Sequence, residues 1–171
     1  PLSEVSISDA LARVRTLFMD DPERARSVDV PATARIESGL RVVVDGPNGR
    51  HAVTDMATAI GGAATAGSPG WLLRAAHAAC DATVIAMCAA EEGVELDSLE
   101  VTVDSDSDNR GLLGLDGAPA GPLVTRVRVR LTATGVPAER LRAIVERAES
   151  RSPVGHAVRN AVPVELVVAT G

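Results

Sequence analysis

From Trp71 to Glu92 the chain runs for helical length with apolar side chains around nearly its whole circumference, among them Leu72, Leu73, Ala76, Ala79, Val84, Ile85, Met87 and Ala90. A helix with so little polar surface has almost no face to turn toward water, so whatever this chain folds into must enclose it. Ser68-Pro69-Gly70 is a helix-start signal and Gly93 a stop, which sets the two ends.

The segments on either side read mostly as sheet. Ala32–Glu37, Leu40–Val44 and Arg50–Thr54 have strand character, the last two joined as a hairpin through Asp45-Gly46-Pro47-Asn48-Gly49. Leu99–Val103 and Leu123–Ala133 read as two more strands. In the second, Val127, Val129 and Leu131 alternate with Arg126, Arg128 and Arg130, which predicts one face in a core and one in water. Met56–Gly67, poor in packing side chains, reads as a loop, and Asp104–Pro122, rich in Asp, Ser, Gly and Pro, as a mobile connection. Ser8–Met19 and Ala138–Ser150 have amphipathic helical spacing, and Val162–Ala169 reads as a closing strand. The pattern predicts an α+β protein, a mostly antiparallel sheet packed on a buried central helix, with an extra helix at the N-terminus. A length of 171 residues fits one domain able to bury its apolar surface without disulfide or metal staples.

Charge excludes one class of partner. Asp and Glu outnumber Lys and Arg 23 to 17, and Phe and Trp occur once each with no Tyr, so both the basic surface and the stacking platforms of a nucleic-acid binder are missing. The core must then be built from Ala, Val, Leu and Ile. Pro1–Asp20 holds acidic residues and no signal-type apolar stretch, and no segment is expected to approach the roughly 20 apolar residues of a membrane span. A soluble cytoplasmic protein is the expectation.

The chemistry-bearing residues are few. Asp104-Ser105-Asp106-Ser107-Asp108 resembles the start of a calcium loop, but Asn109 stands where the turn needs Gly and Leu115 where a bidentate Glu belongs, so a solvated acidic segment is the better reading. Ser152 and His156 lack the context of a serine hydrolase; Ser152 before Pro153 is better read as the cap of a short helix. No phosphate-binding or dinucleotide motif is present, so no cofactor is called for. His77 and Cys80 share a helical face and could give a metal two ligands, with Cys88, His51 or His156 as a third, yet the cysteine pairs that mark zinc sites are missing and no metal is expected. Cys80 and Cys88 lie eight residues apart on one helix. Their Cα atoms are then roughly 12 Å apart, beyond the ~7 Å reach of a disulfide. Cys88 suits a small core position. Cys80, beside His77 and Asp81, keeps polar company that a purely structural helix does not need, and its reactivity would require a cation from elsewhere.

The stretch Ala75-Ala76-His77-Ala78-Ala79-Cys80, after Ser68-Pro69 and two Leu residues, resembles the central-helix signature of the OsmC/Ohr family. Ser152-Pro153-Val154, followed by Val162-Pro163-Val164, resembles that family's Cys-Pro-Val element and last strand. The order of elements agrees from about Ala32 to Val168, which makes residues 1–31 an N-terminal helical extension and 32–171 the OsmC-like domain.

The resemblance implies an intertwined homodimer with a site at the subunit interface, where Cys80 attacks hydrogen peroxide or an organic hydroperoxide. It also shows departures. Ser152 stands in place of the resolving cysteine, so turnover would need an external thiol reductant. Gly70 stands in place of the glutamate that orients the family's catalytic arginine, and that arginine is matched to Arg41, on the hairpin arm, ahead of Arg35. The alternative is a binding protein that keeps the fold and an interface pocket without the peroxidase chemistry.

Overall fold

The computed structural model describes residues 6–171. They divide into two compact units between Ala76 and His77, inside the central helix. The first unit opens with helix α1 (Ile7–Asp20), whose N-cap is Ser6: its hydroxyl oxygen accepts the Asp9 amide at 3.1 Å. No residue of α1 is buried. Strands β1 (Thr33–Ser38), β2 (Arg41–Asp45) and β3 (His51–Thr54) follow as an antiparallel sheet in that order, with Val43 opposite both Arg35 and Val53.

Helix α2 (Pro69–Glu91) ends as its sequence requires. Gly93 takes φ +66°, a conformation only glycine adopts without cost, while its amide reaches the Ala90 carbonyl and that of Val94 reaches Ala89.

The second unit packs the later turns of α2 on a two-stranded antiparallel sheet, β4 (Ser98–Ser107) and β5 (Pro122–Thr132), linked through the short helix α3 (Asn109–Leu112). Helices α4 (Ala138–Arg151) and α5 (Pro153–Arg159) complete it. Its core joins Val84, Ile85, Cys88 and Ala89 of α2 to Leu141, Ile144 and Ala148 of α4, with Val101, Val129 and Leu131 packed against them from the sheet. Full burial of Ile85 and of Ile144 stabilises by about 1.5–3 kcal/mol each.

Four expectations need correction. Asp104–Ser107 is not connection but the end of β4, because Asp104 pairs in register with Arg126, whose guanidinium bonds Asp104 at 2.8 Å and Asp106 at 2.6 and 2.8 Å. Those bonds hold the Asp106 carboxyl below its ordinary range. Turn-type composition was outweighed by cross-strand ion pairs. The closing strand Val162–Ala169 does not form: these residues lie in no regular element, and Val164 and Leu166 are 89% and 83% exposed. A strand holds only where a neighbour supplies its hydrogen bonds, and none is supplied here.

Helix α2 is buried along one stripe, His77, Asp81, Val84, Ile85, Cys88 and Ala89, and not all round; Trp71 and Leu73 are about half exposed. Two layers of one small sheet and one helix cannot surround it. Finally, α2 is by length and composition capable of crossing a membrane, contrary to the expectation for the sequence. Its buried His77 and Asp81, and its packing against β4, β5 and α4, make it a core helix instead.

Candidate functional site

Cys80 sits on the rim of the buried stripe of α2 and is partly exposed, while Cys88, two turns on, is sealed in the core. Both thiols are free. The chain brings Ser152 to Cys80 because α4 ends at Arg151 and Pro153 forces a new start. Ser152 then caps α5 as its position predicted, its Oγ accepting the Gly155 amide at 3.0 Å. The same hydroxyl donates to the Cys80 sulfur at 3.4 Å, and the serine is almost fully buried.

Cys80 opens into a groove of about 440 Å³ lined by Ala79, Thr83, Val84, Met87, Pro153 and Arg151. Its walls are mostly apolar, with the Arg151 guanidinium and the Thr83 hydroxyl, which donates to the Ala79 carbonyl at 2.9 Å, as the polar groups beside the thiol. Arg151 donates to the Cys88 sulfur at 3.2 Å and to both oxygens of Glu91 at 2.8 and 3.1 Å. Glu91, more than the sulfur, raises the Arg151 pKa. Sequence reasoning missed this residue. The available signal was its place directly before Ser152-Pro153, which ties it to the same turn as the serine.

Arg41, the cation matched from sequence, lies on β2 in the first unit. Its Nε meets Glu37 at 2.5 Å and one terminal nitrogen meets the Thr65 hydroxyl at 2.8 Å, while Arg35 pairs with Asp45 at 2.6 Å. Arg41 and Asp55 border a second pocket of about 280 Å³, with Thr65, Gly61 and Gly62 on its rim. Asp55, unremarked in the sequence, organises that pocket. Its carboxylate is buried and accepts the Thr65 amide at 3.0 Å, the Thr65 hydroxyl at 2.8 Å and the Met56 amide at 2.7 Å. The Thr65 hydroxyl therefore links Asp55 to Arg41, donating to one and accepting from the other.

The amide of Thr65, then its hydroxyl, then the Met56 and Ala63 amides hold the Asp55 carboxyl at about 2, below its ordinary 3.8. A depressed carboxyl stabilises the fold fully above its unfolded value and loses that effect as pH falls through the folded one. Asp55→Asn should lower the melting temperature at neutral pH, and its deficit relative to wild type should close between about pH 4 and about pH 2. Thermal melts across that range check it; a deficit that does not change with pH would show that the charge of Asp55 is not what holds the loop.

Among the described residues, two antiparallel sheets and five α-helices, the longest of which carries a free, partly exposed cysteine, define an α+β protein with an accessible thiol. The chain belongs to the OsmC-like protein family, whose model matches residues 61–167. Among solved structures it resembles an organic hydroperoxide resistance protein OsmC from Legionella pneumophila, at 22% identity and TM-score 0.55, over 78% of this chain and 91% of that one. An OsmC-like protein from Mycoplasma pneumoniae matches at 13% identity and TM-score 0.63, over 80% and 89%. The organic hydroperoxide resistance protein OhrB of Bacillus subtilis matches at 24% identity and TM-score 0.51, over 78% and 93%. No curated protein matches the sequence.

Proposed function

We propose that this chain is a cysteine-dependent peroxidase that reduces hydrogen peroxide or organic hydroperoxides through Cys80, with an external thiol in place of an internal resolving cysteine. The observation that carries the reading is the contact of the Ser152 hydroxyl with a partly exposed Cys80 sulfur, 3.4 Å apart at the mouth of an apolar groove. Relatives of the same fold named for organic hydroperoxide resistance give it further support.

The Cys80 thiolate attacks the outer peroxide oxygen, the O–O bond breaks, and the departing hydroxide or alkoxide takes a proton. Cys80 is left as sulfenic acid. One external thiol condenses with it to a mixed disulfide and water, and a second releases Cys80 as thiol together with the small disulfide. The apolar walls suit the hydrocarbon part of an alkyl hydroperoxide. Arg41, held toward one orientation by Glu37 and the Thr65–Asp55 pair, is proposed as the cation that favours the thiolate.

The site is proposed to be completed in a homodimer, and the protein to work in the reducing cytoplasm, where both thiols stay free. A second reading, a binding protein of the same fold without peroxidase chemistry, is favoured by Gly70 at the family's glutamate position and by the commitment of Arg151 to Glu91 and Cys88.

Stopped-flow reaction of the reduced protein with hydrogen peroxide and with an alkyl hydroperoxide separates the two. The peroxidase reading expects oxidation localised to Cys80, faster with the alkyl substrate, and slowed at least tenfold in Arg41→Ala, which should also slow alkylation of Cys80 at neutral pH. Peroxide that leaves Cys80 untouched and oxidises only Cys88 or methionine would leave the binding protein standing. An unchanged rate in Arg41→Ala would remove the arginine from the proposal but not the cysteine.

A further inference from the structure

On the stripe of α2 that carries Cys80, His77 and Asp81 are both only 3% exposed. The imidazole Nε2 and both carboxylate oxygens of Asp81 have no hydrogen-bond partner. Buried polar atoms are ordinarily satisfied, and a buried carboxylate is ordinarily paired or bound to a cation. Nε2 and Oδ2 face each other at 3.3 Å. Two ligands about 2.0–2.1 Å from a tetrahedral zinc ion stand about 3.3 Å apart. Glu149, from the last turn of α4, brings a third donor, so that one ligand atom from each of the three residues lies within 4.8 Å of the others.

Space beside the imidazole is kept by a glycine. A Cβ at Gly155 would stand 3.2 Å from His77 Nε2, 3.2 Å from a terminal nitrogen of Arg159 and 2.9 Å from Ser152 Oγ. Any other residue would crowd the one nitrogen that a cation would use.

From these observations we propose that His77, Asp81 and Glu149 form a binding site for a divalent transition cation of the zinc class, with one imidazole, two carboxylates and an open fourth position. The proposal stands apart from the peroxidase reading. It uses neither Cys80 nor either arginine assigned above. One group competes for the third ligand: the Arg159 guanidinium pairs with a Glu149 carboxylate oxygen and donates to the Glu149 carbonyl at 2.8 Å. Arg159 and Glu149 side chains are 45% and 38% exposed, so the arginine can swing into water and release the carboxylate when a cation enters. The sequence hid this set because its third ligand lies 68 residues beyond Asp81, on another helix.

A proton shared between His77 and Asp81 is the rival account. It would satisfy Nε2 and leave Asp81 Oδ1 without a partner. Titration of the reduced, metal-free protein with Co(II), with Zn(II) in competition, decides between them. The proposal expects one Co(II) per chain with visible absorption bands of a low-coordinate site, displaced by Zn(II). Affinity should fall at least tenfold in Glu149→Gln and in His77→Gln, rise in Arg159→Ala, and stay unchanged in Cys80→Ser. Glu149→Gln is the decisive variant because that residue is half exposed and its change should leave the fold intact, which circular dichroism checks. No binding, binding indifferent to Glu149→Gln, or binding lost in Cys80→Ser with a sulfur-to-cobalt charge-transfer band would each overturn the site.

Discussion

Ser152→Cys should change the product of peroxide treatment from an oxygen adduct to a disulfide with Cys80, seen by intact mass as a loss of two hydrogens where wild type gains oxygen. The hydroxyl it replaces already stands 3.4 Å from the sulfur, so the introduced thiol needs only a small rotation to reach bonding distance. Wild type has no such outlet. Cys88 is eight residues away on the same helix and sealed in the core, so the Cys80 sulfenic acid should persist or, with excess peroxide, rise irreversibly to sulfinic and sulfonic acid. Cys80→Ser should abolish both products. The introduced cysteine should also protect Cys80 against over-oxidation, because condensation within the site outruns a second collision with peroxide. A double oxygen adduct on Cys80 in Ser152→Cys, with no disulfide, would mean that the turn before Pro153 does not hold the two groups in line in solution.

The second large effect is on mass. Sedimentation should give twice the 17.6 kDa of the chain at micromolar concentration. In one chain the apolar residues Trp71 and Leu73 of α2 stand 53% and 47% exposed, and Val164, Leu166, Val167 and Val168 between 73% and 89%. Among the described residues, the outer strands β1 and β3 of one sheet, and β4 and β5 of the other, each pair with a single neighbouring strand. Exposed apolar surface of this kind is what a second copy would cover if the expected dimer forms. Leu73→Asp would then place a carboxylate in the covered face and should shift the protein toward monomer with loss of thermal stability. Wild type sedimenting as a stable monomer, or Leu73→Asp leaving a dimer intact, would refute this assignment.

Much of this protein is legible in its sequence alone. Turn residues located β1 to β3, and the 3.6-residue repeat located the amphipathic α4, because turn preferences and the burial of one helix face both leave their mark on the local sequence. Start and stop residues located α2, since Pro69 and Gly93 act through their own backbone preferences. The serine before Pro153 was readable as a cap for the same reason. Cys80 stood out by the polar company it keeps on an apolar helix.

What only the tertiary structure decided depends on residues far apart in the chain. Asp104 and Asp106 look like loop residues until Arg126 comes across the ladder, 20 to 22 positions on, and turns them into strand. Val162–Ala169 looks like a strand, yet hydrogen bonding requires a neighbour that one chain does not supply. The contact of Ser152 with Cys80, the commitment of Arg151 to Glu91 and Cys88, and the approach of Glu149 to His77 and Asp81 all arise because α4 packs on α2 through Ile144 and Ala148. Local sequence specifies which residues can form an element; which side chains then meet is settled by how the apolar stripes of those elements are buried together.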